Sequence, residues 1–461
     1  MTQTVTFDAE LIRRYDRAGP RYTSYPTAPQ FDEAFGTAHY RDYAAQTNRS
    51  GRPLSLYFHI PFCDTVCYYC ACNKVVTRDR SRAGPYLERL FREIAMQGAL
   101  FERSRPVDQL HWGGGTPTFL DHDQIRALGA KTGEHFTLRE DDSGEYSIEI
   151  DPRELKDGTI GVLREVGFNR LSMGVQDFDE RVQKAVNRIQ PEEITLGAIK
   201  AARAEGFKAV SLDLIYGLPF QSVKTFAVTL ERSIAADPDR LSVFNYAHLP
   251  ELFKPQRRIN AEDLPSPAEK LDILHLTIEK LTGAGYVFIG MDHFAKPDDE
   301  LAIAQAKGTL YRNFQGYSTH ADCDLVGMGV TSIGQVGASY SQNQRGLEDY
   351  YARIDAGELP VFRGYGLSKD DRLRRAVITN LICHFKLDIK DIEKQYEISF
   401  PNYFAPELAD LRTMVDDGLL ALDETRIQVS PPGQLLIRNI CMVFDRYLRE
   451  KQGERRYSKV I

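Results

Sequence analysis

No apolar run in this 461-residue chain approaches the roughly 20 residues that a helix needs to cross a bilayer. The opening MTQTVTFDAELIRRYDRAG has no apolar core of the kind a secretory leader carries, so a cytoplasmic address is expected. Excess basic charge is missing as well: the net charge is −7, which argues against a nucleic-acid binder working through bulk charge. A disulfide framework is excluded by an odd count of seven cysteines, three of them (Cys323, Cys383, Cys441) widely scattered. Low-complexity tracts and short-period repeats are absent. What remains is ordinary globular composition, 42% hydrophobic and 27% charged. The length suits one barrel-sized domain with smaller parts attached.

A period of about 30 residues runs through the middle of the chain, with apolar strand-like runs alternating with amphipathic helical ones. The strand candidates are LSLYFHIPF, VDQLHWGGG, EYSIEIDP, RLSMGVQDF, KAVSLDLIYGLP and RLSVFNYAHLP, with VFIGMDHFA as a seventh. Gly167, Gly206, Pro238 and Gly285 punctuate the helix-to-strand joins. Such alternation predicts right-handed βαβ units and a parallel sheet. Six or seven units fall short of eight, which leaves a partial barrel and an open doubly wound sheet both possible.

Polar groups collect where the strands end. The Cys-rich stretch follows the first strand and Gly113-Gly114-Gly115-Thr116 the second. Glu149 and Asp151 close the third, Gln176 and Asp177 the fourth, Asp213 the fifth, Tyr246 and His248 the sixth, Asp292 and His293 the seventh. In parallel barrels that face carries the active site. Seven polar ends in register predict an active-site rim.

The stretch CDTVCYYCAC places Cys63, Cys67, Cys70 and Cys72 within ten residues. Structural zinc wants four ligands, typically from two distant C-x2-C pairs, and no second pair exists. A redox C-x2-C needs neither Cys63 nor Cys72. Electron-transfer clusters draw four cysteines at other spacings. Three thiolates on a 4Fe–4S cluster would leave one iron open to a chelating small molecule. The glycine run lacks both the G-K-[S/T] of a phosphate loop and the G-x-G-x-x-G of a dinucleotide site.

C-x3-C-x2-C with an aromatic residue before its last cysteine, followed by GGGTP, resembles the radical S-adenosylmethionine enzymes. That resemblance implies an α/β fold with a partial (β/α)6 parallel barrel. PRYTSYPT, LYFHIPFC, HWGGGTPT, SIEIDPRE, FNRLSMGVQDF, LDLIYGLP, FIGMDHFAKPDDEL and NFQGYST narrow it: from about residue 11 to the C-terminus the chain is similar to the oxygen-independent coproporphyrinogen III oxidases. The resemblance implies conversion of the ring A and ring B propionates of coproporphyrinogen III to vinyl groups by a 5′-deoxyadenosyl radical, giving protoporphyrinogen IX in haem biosynthesis. It implies Cys63, Cys67 and Cys70 as cluster ligands and two adenosylmethionines. Tyr57, Gly114, Glu149 and Ile333 match positions for the first. Tyr69, Gly115, Thr116, Gln176, Arg188, Asp213 and Ala247 match positions for the second. A reducing donor of flavodoxin or ferredoxin type, an unidentified electron acceptor and a monomeric enzyme are expected with it.

Cys72 stands apart: a fourth thiolate would close the open iron, so it is a candidate for a role on the substrate side. The main rival is a haem-binding or haem-delivery relative without oxidase activity. Such relatives usually lack the fourth cysteine and the PRYTSYPT arm, and this chain has both. Expected divisions are 1–50 as an N-terminal arm or lid, 51–300 as the barrel, 301–365 as barrel extension and linker, and 366–461 as a mostly helical domain with a hairpin. In the arm, Arg21 is a candidate for meeting a substrate propionate. The C-terminal part resembles a winged helix, but DDGLLALDE puts acid where a phosphate contact needs base, so a cap over the barrel mouth is expected.

Overall fold

The computed structural model describes residues 5–450. Its centre is six parallel strands: β1 (Leu54–Ile60), β2 (Pro106–Gly114), β3 (Glu145–Ile150), β4 (Arg170–Gln176), β5 (Ala209–Tyr216) and β6 (Arg240–Asn245). Each pairs with the next in sequence order. Helices Ala83–Gly98, His122–His135, Thr159–Val166, Glu192–Ala204 and Val223–Ala235 return the chain between them. The starts of these helices are written locally. Asp121 and Gln124 form a capping box, as do Ser222 and Thr225.

Alternation along the strands sorts side chains between two faces. Leu56, Phe58, Trp112, Ile148, Met173, Leu212 and Leu241 are buried in one continuous apolar cluster with residues of the surrounding helices. The alternate positions carry Ser55, Tyr57, Gln109, His111, Ser147, Glu149, Ser172, Asp213 and Ser242. The barrel interior is therefore polar.

Beyond β6 the pattern departs from expectation. VFIGMDHFA is not a seventh parallel strand but a tight hairpin, β7 (Val287–Gly290) and β8 (His293–Ala295), with β8 antiparallel to β6. Asp292 lies in its turn rather than at a strand end. A second hairpin follows, β9 (Tyr311–Asn313) and β10 (Gly316–Ser318). The stretch after it adds further strands to the sheet. β11 (Asp324–Met328) joins the free edge of β1 in parallel, and β12 (Ile333–Val336), β13 (Ser339–Asn343) and β14 (Val361–Gly366) continue the sheet as an antiparallel ribbon. The order is β7-β8-β6-β5-β4-β3-β2-β1-β11-β12-β13-β14, with the short strand Thr137–Leu138 paired to β2 off this path. This sheet stays open, with hairpins where a closed barrel would have two further units.

The C-terminal part holds helices Lys369–His384 and Ala405–Asp416 and the expected hairpin, β16 (Leu420–Leu422) with β17 (Arg426–Val429). A strand absent from the sequence reading, β15 (Lys386–Asp388), pairs with β17 to make three. The N-terminal arm is tied to this domain. Tyr15 Oη donates to Asp417 (2.6 Å), Asn439 Nδ2 to the Tyr15 carbonyl (2.8 Å) and Tyr22 Oη to Asp445 (3.0 Å).

A buried ion pair fixes where β11 meets β1. Arg105 and Asp324 pair with side chains 1% and 2% exposed, and Asp324 also accepts from Thr47 Oγ1 (2.6 Å) and the Gly337 N–H (2.8 Å). Arg105→Leu strands that carboxylate, a loss expected to cost about 3–5 kcal/mol. Urea unfolding of the variant checks this, and a cost below about 1 kcal/mol would mean that the pair does not hold the edge.

Candidate active site

The cysteine loop leaves β1 through a closed neck. Phe62–Cys63 pairs in parallel with Val75–Val76, and the Val75 and Thr77 N–H groups donate to the Pro61 (2.7 Å) and Cys63 (2.9 Å) carbonyls. Residues 64–74 are thereby looped out over the mouth. Their underside rests on a small apolar cluster of Val182, Val186, Leu218, Tyr246 and Ile259, with Tyr68 and Tyr69 packed against it. Tyr68 N–H donates to the Val186 carbonyl (2.9 Å), and Gln256 Nε2 to the Tyr69 carbonyl (3.0 Å).

Donors surround the sulfurs. Thr116 Oγ1 lies 3.7 Å from Cys63 Sγ, while Arg153 and Arg188 approach Cys67 Sγ at 3.6 and 3.7 Å. The Cys72 N–H points at Cys70 Sγ (3.4 Å). Burial pushes the Cys63 thiol up to about 12, whereas the Cys72 thiol's hydrogen bond holds Cys70 down at about 5. Cys72 itself is exposed, and its hydrogen bond to Cys70 raises its thiol, with burial and the Glu149 charge adding to the rise. Among the described residues, His320, Asp322 and Cys323 are the one set of three such ligand atoms mutually within 4.8 Å. The loop thiols do not converge that tightly, though zinc at about 2.3 Å from each sulfur would draw them to within roughly 4 Å of one another. Four soft donors on one short loop, with N–H groups aimed at sulfur, fit an iron–sulfur cluster.

The glycine run lies hard against the loop's base. The Gly115 N–H donates to the Ile60 carbonyl (2.8 Å) and the Thr116 N–H to the Phe62 carbonyl (2.7 Å). A Cβ on Gly115 would sit 2.6 Å from the Phe62 carbonyl oxygen, and Gly114 takes φ +112° beside the His59 ring. Part of the demand for glycine is thus internal to the fold.

Glu149 sits opposite. Its Oε2 accepts from the Gly114 N–H (3.1 Å), and His111 Nε2 is 3.4 Å from Oε1. Burial works to raise its carboxyl, but His111, the Gly114 N–H and His59 outweigh it and hold it below the ordinary range. Tyr57 stacks on His111 (5.8 Å, 12°) and bonds His59 Nδ1 (3.1 Å), whose Nε2 reaches the Asn73 carbonyl (3.0 Å). His59 thus links the chamber to the cysteine loop, and neither it nor His111 was singled out from sequence. Their alternation with Tyr57 and Gln109 on inward positions was the available signal.

Asp151 is a counter-ion rather than a free rim carboxylate: Arg153 (2.6 Å) and Arg188 (3.0 Å) share its Oδ2. Arg188 Nε remains buried without a partner, as does Gln176 Oε1. Asp213 accepts from Ser172 (3.3 Å), and burial together with the Glu149 charge pushes it up to about 6. Asp177 is removed from the rim. Gln176 has φ +69°, and Asp177 instead accepts from Gln221 (2.5 Å) and Thr229 (2.5 Å) in the helix layer. Ala247 is half-buried just after β6. Ile333 packs with Phe31, Tyr340 and Phe314, outside the main core cluster. Glu149, Asp213, His111, His293 and Tyr317 line a cavity of about 200 Å³.

The chain's likeness to known proteins agrees with this arrangement. The Radical SAM superfamily matches residues 57–232 and the HemN C-terminal domain residues 367–436. Oxygen-independent coproporphyrinogen III oxidase of Pseudomonas aeruginosa is 56% identical over 461 residues, covering 100% of both chains. The chain belongs to the oxygen-independent coproporphyrinogen III oxidase family. Members from Escherichia coli (52% identical, 100% of this chain and 99% of theirs) and Helicobacter pylori (43%, 99% and 100%) match over equal lengths. The solved structure described as "Coproporphyrinogen III oxidase (HemN) from Escherichia coli is a Radical SAM enzyme" superposes with a TM-score of 0.92 at 51% identity, covering 97% of this chain and 100% of that one. With this oxidase family and the Radical SAM match come a 4Fe–4S cluster and adenosylmethionine. No helix among the described residues is long and apolar enough to cross a membrane.

Gly115→Ala tests the neck. Neither backbone carbonyl facing the new methyl can move without opening the β1–β2 edge, so a loss of about 1–3 kcal/mol is expected in urea unfolding of the iron-free protein. An unchanged midpoint would show that the neck tolerates a side chain.

Proposed function

We propose that the chain carries out the anaerobic oxidative decarboxylation of coproporphyrinogen III, turning the ring A and ring B propionates into vinyl groups and yielding protoporphyrinogen IX. The observation that carries this reading is that a pinned thiol loop and a bare glycine edge meet at Glu149, a half-exposed carboxylate held ionised at the wall of a polar chamber. Full-length identity to oxidases of that name supports it.

Cys63, Cys67 and Cys70 would hold the 4Fe–4S cluster, which with adenosylmethionine bound would supply one-electron chemistry for taking a hydrogen atom from the substrate. The chain's own residues bind and orient. Ionised Glu149 accepts from an ammonium or from ribose hydroxyls, with Tyr57, Gly114 and Ile333 completing the first adenosylmethionine site. For a second molecule, Tyr69, Gly115, Thr116, Gln176, Arg188, Asp213 and Ala247 offer complementary groups. The unpartnered Gln176 Oε1 and Arg188 Nε are open to a ligand there. Cys72, exposed and outside the ligand set, acts on the substrate side. The enzyme works as a monomer in the cytoplasm, taking electrons from a flavodoxin- or ferredoxin-type donor.

Anaerobic incubation with dithionite, adenosylmethionine and coproporphyrinogen III should yield protoporphyrinogen IX and two CO2. Serine at Cys63, Cys67 or Cys70 should abolish iron retention, whereas Cys72→Ser should keep parental iron and sulfide yet lose vinyl formation. Iron loss in Cys72→Ser equal to the other three would make all four thiols one ligand set and end the open-iron reading.

Glu149→Gln keeps the shape of the side chain and removes its charge. A charge-assisted hydrogen bond is worth roughly 1.5–3 kcal/mol, so adenosylmethionine should bind about ten-fold or more weakly with iron content unchanged. Unaltered affinity with lowered stability would make Glu149 a structural group.

A further inference from the structure

Arg312, on β9, is 7% exposed, and among the described residues no carboxylate pairs with it. Its Nη1 is buried without a hydrogen-bond partner. Its Nε makes one long contact, to the Arg21 carbonyl (3.4 Å), and its guanidinium lies over the Tyr317 ring (4.7 Å). A buried guanidinium without a counter-ion is costly, and a fold keeps one where an anion arrives to complete it. The same stretch of arm brings a second guanidinium: Arg21 Nη1 pairs with Asp292 (2.8 Å), the two side chains being 36% and 17% exposed. Arg438 fixes the arm there by donating to the Gly19 and Pro20 carbonyls. Burial, then the Arg21 charge, holds Arg438 down at about 10.

The spot adjoins the reaction chamber. Tyr317 meets the His293 ring edge-on (5.2 Å, 87°), and both line the cavity shared with Glu149 and Asp213. His293 Nδ1 and Gln315 Nε2 are also buried and unpartnered, and both residues line that cavity.

We propose that Arg312, with Arg21, forms a receptor for a propionate carboxylate of the tetrapyrrole; this rests on the coproporphyrinogen reading above. A planar guanidinium matches a carboxylate in two parallel hydrogen bonds. Asp292 neutralises Arg21 until the substrate carboxylate competes for it. A carboxylate held this way is stabilised as the anion and resists loss of CO2. The receptor therefore anchors a propionate that is not reacting in that turnover, while another is presented beside Glu149.

The test is equilibrium titration of the cluster-loaded enzyme with coproporphyrin III, its tetramethyl ester and adenosylmethionine. Arg312→Gln should bind coproporphyrin III at least ten-fold more weakly, with ester and adenosylmethionine affinities unchanged. Arg312→Lys should fall between Arg312→Gln and the parent for the acid alone. Equal weakening of acid and ester would make Arg312 a matter of shape. Weakened adenosylmethionine binding with porphyrin unaffected would give the carboxylate to methionine. Either result, or no change in any isotherm, overturns the proposal. Should Arg312→Gln lose its iron or fold, Arg312→Lys decides: parental discrimination between acid and ester overturns it. A parent enzyme that binds coproporphyrin III through Arg312 yet forms no vinyl group would sink the oxidase reading and leave the receptor standing.

Discussion

The contact between the Gly113–Thr116 backbone and the end of β1 sets the geometry of the whole mouth. Two N–H groups of the glycine run bond to the Ile60 and Phe62 carbonyls, at a separation that no side chain on Gly115 would permit. Through that contact β2's edge becomes the floor of the cysteine loop. It places Thr116 beside the Cys63 sulfur and leaves the Gly114 N–H facing Glu149. A looser edge would separate the thiols from the carboxylate, since both are positioned from the same four residues.

A polar barrel interior is the second constraint. Interiors usually reject carboxylates, and here Glu149 stays ionised only because His111, His59 and a backbone N–H face it. Asp213, with Glu149 as its neighbour, is pushed the other way, to about 6. Asp213 therefore keeps its proton to higher pH than Glu149, although strand alternation treats the two inward carboxylates alike. Asp151 serves neither role; it neutralises Arg153 and Arg188, which turn donors toward Cys67.

Closure comes from outside the barrel. The sheet stops after six parallel strands, and the gap is occupied by the hairpins β7–β8 and β9–β10, by the arm and by the C-terminal domain. Arg438 of that domain clamps the arm carbonyls at Gly19 and Pro20, next to Arg21 and Arg312. The C-terminal domain thus acts as a buttress for the arm, in keeping with its acidic rather than basic hairpin.

By itself the sequence determined the six βα units, because each strand is a compact apolar run punctuated by Gly or Pro and each helix keeps its 3.6-residue period. It also carried the family, since C-x3-C-x2-C followed by GGGTP is a local pattern that can be matched without coordinates. Only tertiary structure decided the rest. VFIGMDHFA reads as one strand until Met291 and Asp292 turn it back, and β11 to β14 are too short to show a period. Gln176 and Asp177 both sit at the end of β4, yet Asp177 is taken up by Gln221 and Thr229 and leaves the rim. Arg21, Asp292, Arg312 and Arg438 lie hundreds of residues apart at the extremes, and no local rule couples them. Side-chain direction and long-range charge are properties of the packed chain, so the scaffold, its cysteine loop and Arg21 were legible in the letters while the carboxylate environments and the meeting of Arg21 with Arg312 were not.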